Sequence, residues 1–116
     1  MGESVLKDKS FSFALDIVAT TKKLREEGEY VMSKQLLRCG TSIGANIAEA
    51  NMAQSIADFS AKMYIALKEA SETLYWLQLL KQAGYMEPAS SDSMIDNCQE
   101  LLRMLIATTK KTSPRQ

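Results

Sequence analysis

A seven-residue hydrophobic repeat in the second half of the chain constrains the fold more than any other feature. Over residues 56–83, apolar or small side chains recur in two rows: Ile56, Met63, Ala70 and Leu77, and Phe59, Ala66, Thr73 and Leu80. A repeat sustained over four heptads is typical of a long helix that packs against other helices. The pattern therefore predicts a helix over about residues 56–83, ended by Gly84.

Three further segments have helical periodicity, which together with the repeat predicts a bundle. The other expected helices cover about residues 10–27, 34–53 and 91–110, followed by a frayed tail over residues 111–116. Gly28 fits the position just after the first helix, and Ser33, Ser55 and Ser91 can cap the other three. Short connections favour antiparallel neighbours, so we expect residues 1–116 to form one all-α domain, an up-down-up-down four-helix bundle.

The same periodicity predicts which faces are buried. In the first helix the apolar side comprises Phe13, Ala14, Ile17, Val18, Thr21 and Leu24. In the second it comprises Leu36, Gly40, Ile43, Ile47 and Ala50. In the fourth it comprises Met94, Cys98, Leu101, Leu105 and Thr108.

Composition excludes several classes of function. The chain has no histidine, two cysteines and equal numbers of acidic and basic residues, 14 of each. We therefore expect no histidine-based catalysis, no four-cysteine zinc site and no other metal or cofactor. The longest uncharged run, Cys39–Ala48, is too short to span a bilayer. No export signal is recognisable, which predicts a cytoplasmic protein with reduced thiols.

That uncharged run is unusual for a surface helix. Gly40, Gly44 and Ala48 recur every four residues, a spacing that lets another helix approach closely. Three interpretations remain open: the segment lies deep in the bundle, it is covered by another subunit, or it lines a small-molecule pocket. Homo-oligomer contacts bury this kind of apolar and small side chain, which predicts a self-associating protein.

A polar stripe runs beside the apolar seam of the second helix. It consists of Gln35, Arg38, Ser42, Asn46 and Glu49. Because a partly buried arginine needs a carboxylate, we expect Arg38 to pair with Glu69 or Glu72 of the third helix. An interhelical or interface network, a ligand site and plain solvent exposure are the alternatives. No nucleophile or phosphate loop accompanies the two glutamates, which argues against an enzyme and against a small-molecule substrate.

Basic residues form small clusters that predict, as an alternative function, weak nucleic-acid binding. The candidates are Lys22, Lys23, Arg25, Lys34, Lys110 and Lys111. Most such clusters are simply solvated. In an oligomer, however, the electrostatic fields of clusters from several subunits could add up and bind the phosphates of a nucleic acid, although the chain has zero net charge.

Two stretches carry a resemblance to a known family. QLLRCGTSIGANIAEA (Gln35–Ala50) and DFSAKMYIALKEASETLYWLQLL (Asp58–Leu80) resemble the bacterial four-helix-bundle proteins of the 23S rRNA intervening-sequence type. The resemblance implies a left-handed bundle and a ring-like homo-oligomer, typically a pentamer. It places Arg38, Ser42, Asn46 and Glu49 in structural or interface roles and supplies no catalytic set.

A related branch, the accessory protein of diversity-generating retroelements, is a basic pentamer that binds nucleic acid, whereas this chain is neutral. We therefore expect a non-enzymatic, homo-oligomeric interaction or scaffold protein that needs no membrane. A nucleic-acid-binding accessory protein is the alternative.

Overall fold

A computed structural model describes residues 2–112 and contains four α-helices and no strand in that range. The helices are α1 (Gly2–Glu26), α2 (Val31–Ala50), α3 (Ile56–Gln82) and α4 (Pro88–Thr112). The predicted all-α, four-helix class is thus confirmed. The described chain measures 44 × 22 × 20 Å, an elongated shape set by the helix lengths.

Neighbouring helices run in opposite directions, as paired contacts show. In α1 and α2, Ile17 lies against Gly40 and Ser10 lies against Gly44. Ion pairs join Arg38 to Glu69 and Glu49 to Lys62 between α2 and α3, with the same reversal of order. The contact between α1 and α4 is the thinnest of the four. The left-handed twist of the bundle stays a prediction.

The core follows the predicted heptad rows of α3. Three residues of each row are completely buried: Met63, Ala70 and Leu77, and Ala66, Thr73 and Leu80. All five predicted seam residues of α2 are buried as well. Hydrophobic periodicity thus located the interior side of the two central helices correctly.

Five predicted core residues are not fully buried: Ala14, Phe59 and Thr108 are half-buried, and Val18 and Ile56 are exposed. Ile56 is 73% exposed because it is the first residue of α3, at the end of the bundle. Val18 is 48% exposed because it lies about 100° around the helix from the fully buried Ile17. Thr108 is half-buried, and Thr109 is the buried residue instead, with its Oγ1 donating to the carbonyl of Leu105 at 2.9 Å.

Two glycines end helices as predicted. Gly28 and Gly84 have φ angles of +96° and +84°, in the left-handed region that favours glycine. After α3, Tyr85 N donates to Leu80 O at 2.9 Å and Gly84 N donates to Lys81 O at 3.1 Å, the hydrogen bonds of a Schellman motif. The end of α1 has the same pair of bonds around Gly28. Both turns are therefore fixed by local sequence.

The start of α1 was predicted too late. The helix begins at Gly2 rather than near Ser10, and ends at Glu26. Leu6, which is 1% exposed, extends the buried face by two turns and anchors this otherwise polar segment to the core. The burial of Leu6 therefore ties the added residues of α1 to the core.

The boundaries of α2 lie three residues earlier than predicted, at Val31 and Ala50 instead of 34 and 53. Ser33 is not the cap. It lies in the first turn, fully buried, and its Oγ donates to Glu29 O at 2.8 Å. The Glu29 carboxylate accepts from Ser33 N at 3.0 Å and so satisfies a free backbone donor of the first turn.

The predicted cap of α3 is present, whereas that of α4 is not. Ser55 Oγ accepts from Asp58 N at 3.0 Å, and α3 ends at Gln82, one residue before the predicted end. In contrast, α4 begins at Pro88, three residues before Ser91, because proline is favoured in a first helical turn. Ser91 is buried and donates to Glu87 O at 3.1 Å.

The end of α4 also differs from the prediction. The helix continues through Lys111 to Thr112, beyond the predicted end at 110. The prediction of a frayed tail was therefore wrong at residues 111 and 112. The side chain of Thr112 also bonds within the helix, since its Oγ1 donates to the carbonyl of Thr108 at 3.1 Å. Residues 113–116 of the predicted tail lie outside the described residues.

Candidate functional site

Arg38 is the centre of a polar network between α2 and α3. Its Nη1 lies 3.4 Å from Glu69 Oε1, its Nη2 donates to Glu72 Oε2, and Nη2 also lies 3.4 Å from Gln35 Oε1. The Arg38 side chain is 49% exposed, so this network lies on the surface of the bundle rather than in its core. The structure therefore pairs Arg38 with both glutamates that the sequence offered as alternatives.

Trp76 joins the network through a contact that the sequence prediction missed. Its indole Nε1 donates to Glu72 Oε2 at 3.1 Å, one helical turn along α3. This bond and the one from Arg38 stabilise the carboxylate and lower the pKa of Glu72. The hydrogen bond to Glu72 likewise raises the pKa of Arg38. The i, i+4 spacing of glutamate and tryptophan was the signal available in the sequence.

The rest of the predicted stripe does not reach these glutamates. Ser42 Oγ donates to Arg38 O at 2.6 Å, and Asn46 Nδ2 donates to Ser42 O at 2.8 Å, both within α2. Glu49 pairs instead with Lys62 Nζ at 3.1 Å, a partner that was not predicted. The stripe thus comprises two separate links to α3, one at Arg38 and one at Glu49.

Removing the Arg38–Glu72 pair is expected to show a small coupling. In a double-mutant cycle of Arg38→Ala and Glu72→Ala, we expect about 0.2–1 kcal/mol, because exposed ion pairs are screened by water. Because the pKa of Glu72 is lowered in the folded chain, the coupling is fully present above the ordinary carboxyl pKa of 4.5 and is lost as the pH falls through the lowered pKa of Glu72. Urea unfolding over a pH series from 7 downward measures both effects, and additive single losses at pH 7 would contradict the pairing.

The small residues of α2 serve two different surfaces. Gly40 faces α1 so closely that a Cβ at this position would lie 2.8 Å from Ile17 carbons, and Gly44 lies against Ser10. Ala48, the third member of the predicted close-packing row, is exposed. Close helix contact therefore explains Gly40 and Gly44, but it does not explain why the outward positions of α2 are also small.

An apolar groove lies on the outside of α1 and α2, and we call it the α1–α2 groove. It has a volume of about 600 Å³. Its α1 wall includes Phe11, Ala14 and Leu15, and its α2 wall includes Thr41, Ala45 and Ala48. Phe11 and Leu15 are 66% and 58% exposed. The deep-burial interpretation of the uncharged run therefore holds only for the core seam of α2.

A second apolar surface covers the outside of α3, and we call it the α3 face. It consists of the exposed side chains Tyr64, Ile65, Tyr75 and Leu79. The rings of Tyr75 and Trp76 meet edge to face, with centroids 5.2 Å apart. Since α3 is apolar on its core side too, both sides of this helix have the character of buried surface.

The candidate phosphate-binding residues do not converge within one chain. Lys22, Lys23, Arg25 and Lys34 are exposed near the α1–α2 connection. Lys110 and Lys111, also exposed, lie at the end of α4. The antiparallel contacts of Lys9 with Glu100 and of Thr20 with Met94 place the α4 end at the opposite end of the bundle.

The thiols and carboxylates form no reactive or metal-binding cluster among residues 2–112. Cys39 and Cys98 are free and fully buried. Burial raises the pKa of the Cys98 thiol to about 12, and it raises the pKa of Cys39 as well. Both groups are therefore protonated and weakly nucleophilic at neutral pH. Within the same range, the helices are too polar or too short to cross a membrane.

Comparison with known proteins supports the family resemblance. A family model described as 23S rRNA-intervening sequence protein matches residues 3–107. A crystal structure of a protein with unknown function, from the S23 ribosomal protein family of Bacteroides thetaiotaomicron, is similar to this chain, with 51% sequence identity and a TM-score of 0.91. The match covers 95% of this chain and 99% of that one. No curated protein matches.

Proposed function

The chain belongs to the 23S rRNA-intervening sequence protein family, and we propose that it acts as a non-enzymatic, homo-oligomeric interaction module in the cytoplasm. The supporting observation is the pair of exposed apolar surfaces, the α1–α2 groove and the α3 face. A small monomer rarely leaves two such surfaces in water, and association covers them. A pentamer is the oligomer that the family resemblance implies.

A role in assembly also fits the chemistry of the described residues. The polar groups with shifted pKa values, Arg38 and Glu72, neutralise each other, and the two cysteines are buried. In a catalytic cleft, side chains with shifted pKa values would instead be accessible to a substrate as an acid, a base or a nucleophile. Arg38, Ser42, Asn46 and Glu49 therefore act, in this proposal, as supports for the shape of α2 beside the interface.

Light scattering coupled to size exclusion tests the proposal directly. We expect a mass about five times the 12.9 kDa of one chain at micromolar concentration. A different multiple would keep the oligomer and reject the pentamer. A mass of one chain would remove the proposed function.

The nucleic-acid alternative rests on the exposed basic residues near the α1–α2 connection. Glu26, Glu27 and Glu29 lie among them, so one subunit offers a mixed rather than a positive field. We expect binding of mixed RNA and DNA to be weak even at about 50 mM salt. Tight binding with a steep salt slope, lost in Lys22→Ala, Lys23→Ala, but kept in Lys9→Ala, would favour the alternative.

A further inference from the structure

We infer that copies of this chain assemble head to tail, with the α3 face of one copy seated in the α1–α2 groove of the next. This inference rests on the proposed homo-oligomer and names the two surfaces that form its contact. The occupant of the groove is thus a second copy of the same chain. Shape, charge and area each support this pairing.

The two surfaces have complementary shapes. The groove is concave, because Gly44 forms part of its lining and the α2 wall is made of Ala45 and Ala48. The α3 face is convex, because Tyr64 and Tyr75 project from it and are 57% and 58% exposed. Large amphipathic rings set against small residues are the arrangement in which aromatic anchors contribute most to an interface.

The distribution of charge suits an apolar protein partner. Lys7 and Asp8 are the charged residues that line the described groove. On the α3 face, the Glu72 carboxylate is already paired with Arg38, and Lys68 is exposed between the two tyrosines. Docking therefore desolvates few charges, and Asp8 offers a carboxylate for Lys68 at the edge of the contact.

The available area is sufficient for a stable contact. Each long side of the described bundle measures 44 Å by 20–22 Å. A stable interface needs about 800 Å² from each partner, which is close to the area of one such side. Each contact therefore takes nearly one whole side of the bundle, with the groove or the α3 face at its centre.

Because the two surfaces differ, the contact is heterologous. When the groove of one copy receives the α3 face of the next, each pair keeps one free groove and one free face at its two ends. Further copies add to these free surfaces, and they close a ring where the rotation between neighbours divides a full turn, as the proposed ring-like oligomer requires. A dimer in which each groove receives the partner's α3 face would instead have the mass of two chains.

Two single substitutions test the pairing, one in each surface. Ala45→Arg places a charge in the groove, and Tyr75→Arg places one on the α3 face. We expect each variant alone to be a folded monomer by light scattering and circular dichroism. Mixed in equal amounts, they are expected to form a 1:1 heterodimer, because the intact α3 face of the first fits the intact groove of the second. The remaining arginine-bearing surfaces repel each other, so the ring stays open.

Matched controls carry the same charge elsewhere. Ala107→Arg on the outside of α4 and Tyr30→Arg at the α1–α2 connection, both exposed positions, are expected to keep the wild-type mass. If the wild type is oligomeric but either test variant keeps that mass, the named surfaces are wrong while the proposed oligomer stands. Monomers that do not pair on mixing would overturn the head-to-tail contact. A monomeric wild type would remove both proposals.

Discussion

Replacing Ile17 by alanine is expected to lower the free energy of unfolding by about 2–5 kcal/mol. Ile17 is fully buried, and it packs on α2 where Gly40 provides no side chain. The shorter side chain leaves a cavity that α1 cannot close, because its own glycine-ended turn and the other core contacts hold it in place. Chemical unfolding followed by circular dichroism, at one protein concentration, measures the loss.

Val18→Ala is the matched control for this prediction. The sequence pattern placed both residues on the buried side of α1, yet Val18 is 48% exposed. Its truncation is expected to change stability by about 0.5 kcal/mol or less. Equal losses for the two variants would mean that α1 is rotated from the orientation described.

Adding a single methyl group at Gly40 is expected to destabilise the fold by up to about 2 kcal/mol. Three Ile17 carbons would lie 2.8–2.9 Å from the new Cβ, and they belong to a β-branched side chain with little freedom to move. Overpacking of this kind costs about 1–3 kcal/mol, of which the better helix propensity of alanine recovers about 1 kcal/mol. The shift in the denaturation midpoint of Gly40→Ala gives the net value.

Gly44→Ala, one turn further along α2, is expected to have the opposite sign. Its Cβ would meet Ser10 atoms at 3.4 Å, an ordinary contact, so the gain in helix propensity of about 0.5–1 kcal/mol dominates. In the Ile17→Ala background, Gly40→Ala is also expected to become favourable, because the methyl group occupies vacated space. An unchanged penalty in that background would show that another contact limits Gly40.

The parts of the fold that repetition encodes could be predicted from sequence. Met63, Ala70 and Leu77 are buried as the heptad spacing requires, and Gly28 and Gly84 adopt the left-handed backbone for which glycine is favoured. Buried heptad positions and left-handed glycines depend on a few neighbouring residues, so hydrophobic periodicity and residue type predict them directly.

Other features depend on tertiary contacts that a linear pattern does not record. Leu6 extends α1 only because the core is there to receive it. A serine near a helix start can either cap the helix or donate back to a carbonyl, and Ser33 and Ser91 do the second.

The candidate site was predictable to a similar degree. The stripe on α2 indicated that Arg38 faces the glutamates of α3, which the structure shows. The partners Trp76 and Lys62 were missed. Several residues of α3, one turn apart, could reach the same partner, and the rotation of α3 about its axis decides which of them does. The α1–α2 groove combines two helices, so no single periodic segment could reveal it.

The two ends of the bundle have unequal freedom to change during evolution. The α1–α2 and α3–α4 connections lie at the same end of the bundle. Each contains a glycine with a left-handed backbone, Gly28 or Gly84, which other residue types adopt only with strain. The α2–α3 connection at the other end, residues 51–55, is mostly exposed and contains no positive φ angle. We expect insertions and loop exchanges among homologous sequences to accumulate in residues 51–55, which makes this the natural point for grafting a foreign peptide.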